Sequence, residues 1–251
     1  MLKTRIIPTV LFKNGIVVKT KKFSEHRNIG SCINTVRVYN AREVDELIFI
    51  DTDATKEMRG LPIAIVREVL DECFMPLTVG GGVKTTEDIN ALLKIGADKV
   101  SINSEAVKRP DFISEAAKVF GSQSIVISID AKRNGGSYEV FTESATKPSG
   151  MDPVFWAKKC EKLGAGEILI NSIDHDGMMD GFDIELIKQV SDAVNIPVIA
   201  CGGAGNLDDF TKAIKEGHAS AVSASSIFLF TQTTPENVKM HMAKSGINVR
   251  I

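Results

Sequence analysis

An α/β fold of the (β/α)8 TIM-barrel class is predicted by three features of the 251-residue sequence: eight short apolar runs, amphipathic segments between most of them, and an internal repeat. Short runs rich in Ile and Val read as strands buried on both faces of a parallel sheet. Eight of them is the count of a closed barrel. A doubly wound open sheet would show fewer strands and a single glycine fingerprint opening its first helix.

In chain order the runs are RIIPTVLF (5–12), ELIFID (46–51), PLTVGG (76–81), KVSIN (99–103), SIVISID (124–130), EILINSI (167–173), PVIACGG (197–203) and SAVSAS (220–225). TTEDINALLKIG (85–96) and DPVFWAKKCEKLG (152–164) each begin on a capping residue and end at Gly, so both are expected to be helices. Trp156 and Phe155 of the second are expected in the core. Glu46 and Glu167, 121 residues apart, each open a strand. The same shift carries Asp53 onto Asp174, Gly60 onto Gly181, Asp71 onto Asp192 and Pro76 onto Pro197. It also carries Gly81-Gly82 onto Gly202-Gly203, Asp88 onto Asp209, Gly96 onto Gly217 and Ser104 onto Ser225. These identities fall at strand ends and helix caps, as two repeated half-barrels would place them. No linker separates the halves, so residues 1–251 are expected to form one domain.

Composition narrows the function. Thirty basic against thirty-two acidic residues leave a net charge of −2, which argues against broad nucleic-acid binding. The four cysteines are scattered without a CxxC pair, as in a reduced, cytoplasmic protein. No run approaches the ~20 apolar residues of a membrane span. Pro8 and Lys13 break the apolar start that would otherwise suggest a signal peptide. His26, His175, His218 and His241 are too dispersed for a metal site, and only His175, in IDHDG, is expected near the barrel mouth. No cofactor motif, nucleophile elbow or P-loop is present.

Ligands of parallel barrels sit at the C-terminal ends of the strands. There, Gly80-Gly81-Gly82 and Asn103-Ser104 have the repeat partners Gly202-Gly203-Ala204-Gly205 and Ala224-Ser225-Ser226. Glycine leaves backbone N–H groups open to an anion, and short polar side chains complete the cradle. Two matched cradles on opposite sides of one mouth suit a small molecule with a phosphate at each end. Asp130 ends its strand at the same mouth, as a general acid or base or as a structural carboxylate capping the loop or pairing with Lys132. Asp51, Asp53, Asp174 and Asp176 also lie near strand ends.

RIIP (5–8), GIVVK (15–19), TVGGGVK (78–84), GADKVSIN (96–103), FGSQSIV (120–126), IDAKR (129–133), GAGEILINSIDHDG (164–177), CGGAG (201–205) and GINVR (246–250) together resemble the cyclase (HisF) family of imidazole glycerol phosphate synthase. The resemblance covers essentially the whole chain. It implies a barrel paired with a glutaminase subunit as a heterodimer. Ammonia from glutamine would cross the bore to a phosphoribulosyl intermediate at the mouth, on the route to histidine. By position, it puts phosphate contacts on Gly82, Asn103 and Ser104, and on Gly177, Gly203, Ala224 and Ser225. The ammonia gate falls on Arg5, Glu46, Lys99 and Glu167, and a glutaminase contact on Asp98. Asp130 matches one of two catalytic carboxylates. The other lies in a family motif RIIPCLDVKDG where this chain has RIIPTVLFKNG, so Leu11 stands in place of the first acid and Thr9 in place of a cysteine.

Leucine neither donates nor accepts a proton, so paired acid–base chemistry is broken while the gate charges are kept. ECFMPL (72–77) and the T-x-K-F pattern at Thr20–Phe23 resemble diverged HisF-like proteins of surface-polysaccharide pathways, which implies ammonia supplied to a separate sugar-amidating enzyme. Two other readings stand beside it. One is an authentic cyclase working through Asp51 or Asp174, and the other is a phosphosugar isomerase or phosphate-binding barrel.

Overall fold

The computed structural model describes residues 3–24 and 26–250. In chain order its elements are β1 (Arg5–Lys13), β2 (Ile16–Lys19), β3 (Arg27–Ser31), α1 (Cys32–Ala41), β4 (Leu47–Asp51), α2 (Ile63–Leu70), β5 (Leu77–Gly80), α3 (Thr86–Lys94), β6 (Lys99–Ile102), α4 (Ser104–Lys108) and α5 (Asp111–Phe120). They continue with β7 (Ile125–Asn134), β8 (Ser137–Thr142), β9 (Lys147–Pro148), α6 (Pro153–Lys162), β10 (Glu167–Ser172), α7 (Ile184–Ser191), β11 (Val198–Cys201), α8 (Leu207–Lys215), β12 (Ala221–Ala224), α9 (Ser226–Phe230) and α10 (Pro235–Lys244). The strands β1, β4, β5, β6, β7, β10, β11 and β12 pair in parallel, and β12 returns to β1, so the sheet closes on itself as a TIM barrel. These are the eight runs expected from the sequence.

Two hairpins were not expected. β2 folds back on the end of β1, pairing Leu11 with Val18, and β3 extends it. β8 folds back on the end of β7, pairing Asp130 with Phe141. The first turn is Asn14-Gly15, with φ of 49° and 77°. Both central residues at positive φ match the right-handed twist of the flanking strands, which is why Asn-Gly marks tight hairpins. That signal was in the sequence, hidden because each hairpin continues a strand already assigned.

The two-residue strand period divides the core. Ile6, Val10, Phe12, Phe49 and Val79 face the helices. Ile7, Ile48, Val126, Leu169, Ile199 and Ala221 form a separate cluster inside the bore. Phe12 stacks on Phe49 with centroids 4.2 Å apart. Trp156 is fully buried as expected, but Phe155 is 58% exposed. Adjacent positions on a helix face different ways, so only one of the pair reaches the sheet.

The sequence repeat is also a repeat of contacts. Thr85 and Asp88 form a capping box on α3, and Asn206 and Asp209 form one on α8. The glycines match too. A Cβ on Gly81 would strike the Asp51 backbone, and one on Gly82 would lie 2.6 Å from the Arg59 carbonyl oxygen. In the second half, a Cβ on Gly202 would lie 2.9 Å from the Ser172 carbonyl oxygen, and one on Gly203 would strike the Gly181 carbonyl. The Cβ side of these glycines is thus taken by neighbouring loops of the protein, a tighter constraint than ligand approach alone.

Below the barrel, the Lys239 ammonium meets Asp45 at 2.8 Å, and the other Asp45 oxygen accepts the Ile6 amide at 2.9 Å. Among the described residues, no helix is long and apolar enough to cross a membrane. Gly203→Ala combines a φ of 115° with this backbone collision, and should cost at least about 1 kcal/mol, lowering the thermal midpoint in calorimetry.

Candidate functional site

The C-terminal strand ends surround a cavity of about 1400 Å³, measured out to solvent. Gly82, Asn103, Ser104, Gly177, Gly203, Ala224 and Ser225, the seven expected phosphate contacts, all line it. So do Leu11 and Asp130. The cavity deepens past Ser101 and Ser128 to Leu169, so it reaches the apolar cluster of the bore.

Its two halves differ in chemistry. On the β1–β4 side the floor is Leu11 and Ile50, above a hydroxyl pair in which Thr9 and Ser223 lie 2.5 Å apart. On the β6–β7–β10 side it is polar. Asp130, 6% exposed, accepts the Asn103 amide at 2.7 Å and the Asn171 amide at 3.3 Å. Burial pushes its carboxyl up to about 7, the charge of Asp176 adds to the rise, and the two amides partly offset it. Lys132 is not its partner: that ammonium lies 5.9 Å from the Phe141 ring centroid.

Two residues completing the site, Asn171 and Lys19, were not singled out from the sequence. Lys19 and Asp176 form a buried ion pair at 3.0 Å on the cavity wall. Thr20 donates to the second Asp176 oxygen at 3.1 Å, and the Lys22 amide donates to the Asp176 carbonyl at 2.8 Å. The β2–β3 hairpin is thereby tied across the mouth to the loop after β10. Asp176 was legible only as one of several rim acids, and Lys19 lies in the unexpected hairpin. On the opposite side the loop after β8 crosses the rim. The Glu143 amide donates to Ser104 Oγ at 3.0 Å, and Ser144 Oγ donates to the Thr52 carbonyl at 2.8 Å.

The other candidate acids are committed elsewhere. Asp51 accepts Arg59 at 2.6 and 3.2 Å, along with the amides of Asp53 and Ala54. Asp53 pairs with Lys13. Asp174 accepts the Arg133 amide at 2.8 Å and does not line the cavity. His175 lies by the mouth, against Gly203, but does not itself line the cavity, and its Nδ1 lies 2.9 Å from Asp180.

At the opposite end of the bore, the four expected gate residues form a closed square. Arg5 contacts Glu46 at 2.8 Å and Glu167 at 2.9 Å, while Lys99 contacts Glu46 at 3.2 Å and Glu167 at 3.0 Å. Their side chains are 11–21% exposed, so two positive and two negative charges cancel in a largely desolvated ring. Beside them Asp98 is exposed, with one oxygen accepting the Leu77 amide at 2.8 Å.

The raised Asp130 carboxyl has a measurable consequence. Its folded value lies above the ordinary 3.8, so between about pH 4 and 7 the folded chain holds a proton that the unfolded chain has lost. Stability from this group is therefore present at low pH and falls as pH rises through that window. Urea melts should show Asp130→Asn gaining on wild type from pH 4 to 7; parallel curves would mean an ordinary carboxylate.

The sequence matches the family described as histidine biosynthesis protein over residues 5–234. That span takes in all eight barrel strands, both glycine-rich strand ends and the ring of four charges. The chain therefore belongs to this histidine biosynthesis protein family of HisA- and HisF-type barrels.

Proposed function

We propose that the chain is the HisF-type barrel subunit of a glutamine-dependent amidotransferase system, acting in the cytoplasm as one domain. It receives ammonia from a glutaminase docked on the N-terminal face and delivers it at the mouth. The observation that carries this reading is the square of Arg5, Glu46, Lys99 and Glu167 set across the foot of an apolar bore. A barrel bottom that needed only closure could be filled with alkyl groups, often without loss of stability. A ring of balanced charges instead narrows the path without favouring either ion, and the Ile, Val and Leu layer above admits neutral ammonia far more readily than ammonium. Exchanging any one ion pair for a contact with the partner would open the ring.

At the mouth, Leu11 and Ile50 support delivery in place of cyclisation. Asp51 is held by Arg59, and Asp174 lies off the cavity, so neither supplies the missing acid. The final acceptor in this reading is a separate sugar-amidating enzyme of lipopolysaccharide or other surface-polysaccharide synthesis, as the diverged motifs at 72–77 and 20–23 suggest. The alternative is an authentic cyclase of histidine biosynthesis, favoured by one observation: Asp130 lines the same cavity as both glycine-rich strand ends, which in that reading hold a bis-phosphorylated ligand.

Two experiments test the proposal. A class I glutaminase should bind one to one, and Asp98→Lys should weaken that binding at least tenfold, since disrupting a desolvated interface charge costs ~2–5 kcal/mol. Equal affinity would remove the docking face. Given ammonia and the histidine-pathway intermediate, wild type should form no imidazole glycerol phosphate above background, because one positioned acid or base contributes ~10²–10⁴-fold. Leu11→Asp should recover a trace. Robust wild-type turnover that is lost in Asp130→Asn would establish the cyclase instead.

A further inference from the structure

Asp130 is the buried mouth carboxylate that the ion pairs leave over. Asp176 is bound by Lys19, Asp51 by Arg59 and Asp53 by Lys13, whereas no cationic side chain among the described residues pairs with Asp130. Its two protein partners are neutral amides. The Oδ1 atoms of those amides, on Asn103 and Asn171, are themselves buried with no protein donor in reach. The carboxylate thus sits among acceptors short of donors. Cys201, on the same wall, remains a thiol, because burial pushes it up to about 12.

This cluster lies between the open mouth and the top of the apolar bore. The cavity runs from Leu169 in the bore, past Ser101 and Ser128, to Asp130. On the facing side Leu11 and Ile50 offer no rival carboxylate. A small species rising through the bore therefore meets one buried carboxyl that no cation already holds.

We propose that Asp130, flanked by Asn103 and Asn171, is a capture site for ammonia, which it holds as ammonium at the top of the bore. The site rests on the conduit reading. The step is a single proton transfer: the carboxyl O–H bond breaks, an N–H bond forms on ammonia, and a carboxylate–ammonium pair results with no net charge brought in. Reverse transfer releases neutral ammonia. Ammonium carries only donors and is the size of a water molecule, so it suits a pocket rich in acceptors where a larger or acceptor-bearing group would not. Burial raises the carboxyl toward neutrality but leaves it a stronger acid than ammonium, so transfer to ammonia is favoured while the gap between the two acids is smaller than for an ordinary carboxyl.

The test follows the Asp130 carboxyl directly. In protein labelled with ¹³C at aspartate carboxyls, its resonance is assigned by its disappearance in Asp130→Asn. It is then titrated with pH in ammonium chloride and in tetramethylammonium chloride at equal ionic strength. Ammonium should lower the Asp130 midpoint, saturably, by about one pH unit or more, a tenfold preference for the ionised form, while tetramethylammonium leaves it in place. Identical midpoints in the two salts would overturn the site. A glutaminase that docks as proposed on a barrel whose Asp130 ignores ammonium would overturn the capture site alone. An ammonium-specific shift in a barrel that binds no glutaminase would uphold the site and remove the conduit reading.

Discussion

The register that closes the sheet governs everything else in the molecule. Each barrel strand is hydrogen-bonded to two parallel neighbours, and its side chains alternate between bore and helix layer. Arg5 stands beside Ala221 and Asn171 beside Asp130 because β1–β12 and β7–β10 pair in that register. A slip of one residue would turn Ile6 into the bore and Arg5 into the apolar layer under the helices. The charge ring, the Ile and Leu cluster, the hydroxyls and the mouth polar groups are successive levels of one inward-facing set. A barrel that holds its register builds all four at once.

Within that frame the halves have diverged chemically while keeping their scaffold. The capping boxes of α3 and α8, and the glycine contacts of Gly81-Gly82 and Gly202-Gly203, are nearly superposable in kind. These features hold loops in place, and a change in either half would meet the same steric wall. The residues that face the cavity carry no such constraint. There the first half presents Leu11 and Ile50, and the second presents Asp130 and Asn171. Asp130 keeps its burial without a cation because two amides solvate it, an arrangement that tolerates the neutral and the charged form alike.

What was legible in the sequence follows the same division. The eight strands were readable because burial on both faces leaves continuous Ile and Val runs. The glycine-rich strand ends were readable because the repeat fixed their places, and the four charges of the lower ring were placed by the family resemblance. Lys19 was not, because its hairpin is an extension of β1 and its partner Asp176 is 157 residues distant. Asn171 was hidden for another reason: its importance lies in standing one strand over from Asp130, a relation of register that spacing along the chain does not display. His175 shows the converse: it lies by the mouth as expected, yet its ring is engaged by Asp180 and lines no part of the cavity.

The Lys239–Asp45 contact bears on how such a chain is made. Asp45 binds both the Ile6 amide and a lysine 194 residues further on, and the Thr4 amide donates to the Asn248 carbonyl at 2.7 Å. The first strand of the barrel to be made is thus among the last to be fully held, since β12 and α10 must exist before its second edge and its lower support are complete. During synthesis the nascent half-barrel carries an open edge at β1 for most of the time that translation takes. Polar residues at both ends of that strand, Arg5 below and Lys13 above, then serve as guards, keeping an exposed parallel edge from pairing with a neighbouring chain until its own closure arrives.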